Sequence, residues 1–125
     1  MREILFRGRR KDTDEWLYGN LICSKNHAIG SQQFPCERPI VVETETVGQY
    51  TGLKDINGKR IFEGDILAHE DKSVEFGVVE FDEEYAMFDM EVGGIPFVFS
   101  DIDTEEYEII GNIYDNPELI GGKNA

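Results

Sequence analysis

The chain has 125 residues, 40% of them apolar and 11% aromatic. That is enough for one ordinary domain or two small β units. No apolar run approaches the roughly 20 residues of a membrane span. The opening Met1-Arg2-Glu3-Ile4-Leu5-Phe6-Arg7 lacks the apolar core of a signal peptide, so the expectation is a cytoplasmic protein without membrane contact. Net charge is −14; residues 1–11 carry five basic side chains against one acid, and residues 61–120 carry eighteen acids against Lys72 alone, a local net of −17. Such a field repels nucleic acid at distance. The ordinary role of so many acids is a solvated surface.

Taken in chain order, Ile4-Leu5-Phe6 opens a short apolar strand, and the polar run Arg9–Glu15 reads as a hairpin loop. Trp16–Ile22 alternates as a strand with apolar residues on both faces, which predicts that it is well covered. Residues 23–39 are irregular. Pro35 and Pro39 forbid a continuous helix, and a loop with one short strand near Ala28-Ile29 is expected, with a helix inside 23–36 as the alternative. Ile40–Glu43 is a compact β-branched strand, and Thr44–Tyr50 leads into another.

The stretch Thr46–Leu67 is the densest in turn signals. Asn57-Gly58 predicts a hairpin turn, since both residues tolerate the positive φ that tight hairpin turns require. Glu63-Gly64-Asp65 reads as a second turn or bulge. Asp65–His69 and Val74–Phe81 are strands, as is Ala86–Val92, which Gly93-Gly94 turns into Pro96–Phe99. Ser100 or Asp101 is placed to cap a helical turn through Thr104-Glu105-Glu106. Tyr107–Tyr114 is the last strand. Asn116-Pro117 starts a capped turn, and residues 121–125 read as a disordered tail.

Roughly ten short strands with little helical periodicity argue a mainly β protein. The strands are short and strongly bent. The expected architecture is an N-terminal β segment with an irregular loop over 1–45, and a small barrel-like part of SH3-like size over 46–120 that packs with it.

Four blocks also resemble the YopX family of bacteriophage and prophage proteins: Arg2-Glu3-Ile4-Leu5-Phe6-Arg7-Gly8, Glu15-Trp16-Leu17-Tyr18-Gly19, Thr46 through Ile66, and Ile109 through Leu119. They fall in the family's order along nearly the whole chain. The resemblance implies a β-rich fold with a barrel-like C-terminal part, self-association, and a bacterial host cell. The family has no assigned activity, so it transfers no catalytic residue. Residues 23–39 and 82–106 lie between the blocks and match no pattern.

Four groups of residues carry a chemical reading beside a structural one. Cys23, His27 and Cys36, spaced Cys-x3-His-x8-Cys, lack the paired spacing and fourth ligand of a structural zinc site and read as two free thiols and a loop histidine. Asp65, Asp82, Glu83, Glu84, Asp101, Asp103 and Glu105 offer oxygens for hard cations, as in a metal-dependent nuclease or hydrolase. In a chain with twenty-six acids, however, clusters arise by abundance. Arg7, Arg9 and Arg10 near Trp16 and Tyr18 suggest phosphate pairing with base stacking; neutralising the acidic half of the same or a neighbouring chain fits the composition better. Gly48, Gly52, Gly58 and Gly64 form no phosphate-binding loop and read as turn glycines.

No catalytic, cofactor-binding or metal residue is assigned, and no cofactor. The leading expectation is a non-enzymatic, self-associating interaction module. The alternatives are an acidic decoy of a basic host DNA-binding protein and the metal-dependent hydrolase.

Overall fold

The computed structural model describes residues 3–23, 26–33, 38–99 and 103–124, and the chain divides into two compact units, Met1–Tyr50 and Thr51–Ala125. Both are built from antiparallel strands and short 3-10 turns, with no α-helix among the described residues. The chain is mainly β, as the turn spacing predicts.

In the first unit, β1 (Phe6–Arg9), β2 (Trp16–Cys23), β3 (His27–Ser31), β4 (Ile40–Val41) and the start of β5 (Gly48–Lys54) lie in the order β4-β3-β2-β1-β5. The sheet curls strongly: a bridge between Arg10 and Val42 returns the end of β4 to the end of β1. Leu17, Ile29 and Val42 fill the interior, flanked by Phe6, Leu21, Ile40 and Val47. Where β2 crosses β3, only a glycine fits. A Cβ on Gly19 would lie 1.9 Å from the Gly30 carbonyl oxygen, so the curl depends on that missing atom. The described part of 23–36 supplies β3 rather than a helix.

In the second unit, the rest of β5 leads through a turn into β6 (Arg60–Phe62), where the Thr51 hydroxyl donates to the Ile61 carbonyl at 2.8 Å. β7 (Asp65–His69), β8 (Gly77–Asp82), β9 (Met87–Val92), β10 (Ile95–Val98) and β11 (Tyr107–Asn112) form a five-stranded sheet in the order β10-β9-β8-β7-β11. Ile61, Leu67, Val79 and Met90 are its buried core, with Val92, Phe99, Tyr107 and Ile109 packed around them. The sheet is open rather than a closed barrel, with β10 and β11 as its outer strands. The physical reason at β11 is local. The Ile56 N–H donates to the Tyr107 carbonyl, and Asp55 accepts from the Ile109 N–H at 3.0 Å, so the 55–59 turn satisfies that edge without another strand.

Two turns differ instructively. Gly93 and Gly94 both have positive φ, the requirement of a tight two-residue hairpin. At 57–58 only Gly58 does, with Asp55 N–H donating to the Lys59 carbonyl. This is a three-residue hairpin, and Asn57 keeps ordinary backbone geometry. The Gly93-Gly94 turn makes Val92 and Ile95 a hydrogen-bonded pair, so Pro96, opposite Glu91, sits where backbone nitrogens face away from β9. Its missing donor lies on the free edge of the sheet.

The 3-10 turn Thr104–Glu106 is capped by the Asp103 carboxylate, which accepts from the Glu105 N–H; Ser100 and Asp101, expected in that role, lie outside the described residues. A last 3-10 helix spans Pro117–Asn124, and Asn116 accepts from the Asn112 N–H just before it.

Candidate functional site

Three of the singled-out carboxylates, Asp65, Asp82 and Asp103, hold backbone. Asp65 is buried and accepts from the Phe62 N–H at 2.8 Å, closing the turn at Gly64. Asp82 accepts from the Glu84 and Tyr85 N–H groups and fixes the β8–β9 turn, from which Glu83 and Glu84 project into solvent. Glu105 is exposed, and Asp101 lies outside the described residues. Among the described residues, no three histidine, cysteine, aspartate or glutamate side chains converge as metal ligands.

Cys23 is a free, exposed thiol at the end of β2, directly across from His27 on β3. His27 places Nδ1 3.2 Å from the Thr44 hydroxyl. Cys36 lies outside the described residues.

The N-terminal basic group is spent locally. Arg7 is buried with its guanidinium 4.7 Å from the Trp16 ring centroid, a cation–π contact. Arg9 pairs with Glu43 at 2.8 Å, and Arg10 pairs with Asp12. These contacts all lie within the arginines' own unit.

One arrangement escaped sequence reasoning. A cleft of about 270 Å³ in the second unit is lined by Ile56, Asn57, His69, Lys72, Glu106 and Glu108. His69 Nδ1 accepts from the Asp71 N–H at 2.9 Å, so the ring proton sits on Nε2, which donates to Glu106 at 3.1 Å. The ring also meets Tyr107 edge-on at 4.9 Å. Burial, then the Glu106 charge, hold the Tyr107 proton above the usual phenol range. Both imidazole nitrogens are engaged, and the cleft is smaller than ordinary ligand pockets. His69 orders the 69–74 loop.

A second arrangement follows from register. Because Glu80 opposes Asp89, Asp82 opposes Met87 and Val78 opposes Glu91, four carboxylates share one face of β8–β9. The other face carries Val79 and Met90 into the core and continues outward through Phe81, Phe88, Phe97 and Ile95. Phe81 and Phe88 meet edge-on at 5.1 Å. Phe81 is 41%, Phe97 43% and Ile95 60% exposed. The signal for this face was present as alternation in Val74–Phe81 and Ala86–Val92. Which parity faced the core was not legible there.

The fold and sites define a two-unit antiparallel β protein with an open, two-faced second sheet, one face acidic and the other apolar at its margin. Among the described residues, no helix is long and apolar enough to cross a membrane. The family model described as YopX protein matches residues 5–121, and the chain belongs to this family. The chain is also similar to the crystal structure of protein EF1440 from Enterococcus faecalis, with 26% identity, a TM-score of 0.57, and 96% of this chain and 99% of that one covered. No functionally curated protein matches.

Proposed function

We propose that this YopX protein is a phage- or prophage-encoded cytoplasmic module that works by protein–protein contact rather than catalysis, with a second copy of itself as first partner. The observation that carries the reading is the apolar margin of the second sheet. Phe81, Phe88, Phe97 and Ile95 are neighbours on one face, three of them large and well exposed. Contiguous apolar surface of this kind marks a contact site more often than isolated exposed residues do. Closed two-fold pairing of one patch with itself is the commonest way to cover it. The blunted β10 edge favours face-to-face packing over strand addition.

Light scattering coupled to size exclusion tests this. The expected mass is that of a dimer or larger. Association should strengthen with salt, because each copy carries −14. Replacing Phe81 and Phe97 together by serine should give monomers with an unchanged β spectrum. A wild-type monomer at all salt and protein concentrations overturns the reading.

A further inference from the structure

We infer that the carboxylate face of β8–β9, formed by Glu80, Asp82, Asp89 and Glu91, is a docking site for an arginine-bearing basic protein surface, a partner different in kind from a second copy. The inference is independent of the apolar margin, which lies on the opposite side of the same strands.

The central observation is Asp89. It is 5% exposed, yet its Oδ1 is buried with no hydrogen-bond partner among the described residues. A buried carboxylate oxygen without a donor is costly in an isolated chain. Elsewhere this protein avoids that cost: Asp55 and Asp65, similarly buried, accept backbone N–H groups. Asp89 therefore departs from the chain's own habit, and it does so in the middle of an acidic face. Glu80 lies directly across from it, with Glu91 two residues along its own strand and Asp82 two residues beyond Glu80 on β8.

The charges acting on this group are all negative. Burial, then Asp82 and Glu91, make Asp89 harder to ionise; burial, then Glu91, do the same to Glu80. A planar guanidinium supplies several donors in a fixed fork, able to reach the unpartnered Asp89 oxygen and an adjacent carboxylate together. The described residues do not converge as metal ligands do, so carboxylates spaced along a strand pair fit a spread organic cation better than a point ion.

A second copy is a poor source of that cation, because it brings a further −14 against its exposed Arg38 and Arg60, and its Arg7, Arg9 and Arg10 are engaged by Trp16, Glu43 and Asp12. The partner that fits is a protein surface rich in arginine.

The test uses the full chain and a nona-arginine peptide as probe, with nona-lysine and a DNA duplex as comparisons. Binding is followed by calorimetry and by the carboxyl carbon resonances of the aspartates and glutamates. Glu80→Gln with Asp89→Asn should weaken nona-arginine binding about tenfold. Glu83→Gln with Glu84→Gln, which removes the same charge from the adjacent turn, should weaken it less than about twofold. The Asp89 carboxyl resonance should shift on titration, nona-lysine should bind more weakly than nona-arginine, and DNA should not bind. Equal losses in the two double variants would overturn the inference, leaving only diffuse attraction to an acidic protein. An unmoved Asp89 resonance would do the same. Binding here weakens with salt, whereas self-association through the apolar margin strengthens with it, so either reading fails without the other.

Discussion

The two units handle charge in opposite ways. In the first, ionic side chains are closed off by neighbours: Arg9 by Glu43, Arg10 by Asp12, Arg7 by the face of Trp16. In the second, Asp55 and Asp65 are buried as backbone acceptors, but Glu80, Asp82, Asp89 and Glu91 face one another across β8 and β9. The contrast teaches where to look for contact. A unit whose charges are internally matched has little electrostatic reason to bind, and a sheet that crowds like charges gains by finding the opposite sign.

The sharpest way to break this contrast is at Asp55. Its carboxylate accepts from Asn57, Lys59 and Ile109 and ties the turn to the outer strand β11. Asp55→Ala should cost about 4 kcal/mol, read by urea denaturation, because three part-buried backbone donors lose their shared acceptor. An unchanged midpoint would show that the turn is held by its backbone bonds alone. The matching change in the first unit is Gly19→Ala, which drives a methyl into the Gly30 carbonyl. It should cost about 3 kcal/mol, with hydrogen exchange rising first in β2 and β3.

Acid titration sharpens the comparison further. Asp89 and Glu80 hold their protons to higher pH in the folded chain than in the unfolded one, where carboxyls titrate near 4. The folded state therefore binds more protons as pH falls from neutral towards that value, and these two groups favour folding as they protonate. Stability contributed by this face should rise on mild acidification and be absent above the raised range. Glu80→Gln with Asp89→Asn should raise the neutral-pH urea midpoint and flatten the dependence. A double variant less stable than wild type at pH 7 would contradict the sign. The smallest expected effect is Glu43→Gln. The pair with Arg9 is about one-fifth exposed on both sides, so about 1 kcal/mol is lost, and that loss should shrink in high salt.

Much of the fold was legible because it rests on local chemistry. Trp16–Ile22 alternates and becomes β2, Gly93-Gly94 demands a tight turn and makes one, and Asn116-Pro117 begins a 3-10 helix. The expected barrel was not realised as a closed one, since closure depends on which edges pair. Asp55 satisfied β11 from a turn more than fifty residues earlier in sequence, and no local pattern announces that. Likewise His69 met Glu106, and Glu80 met Asp89, through register. The acids are plain in the sequence, but their abundance hides which few are stacked against their own kind. The role of Asp65 is likewise set by a contact outside any sequence motif, since its carboxylate accepts from the Phe62 N–H.

One residue on the outer rail of β10 has a bearing on how this protein behaves when crowded. Pro96 offers no amide to an approaching chain. A growing ribbon of identical strands needs an unbroken ladder at each addition, and here every rung sequence has a gap. On this edge of the sheet, ladder growth is interrupted by a single ring.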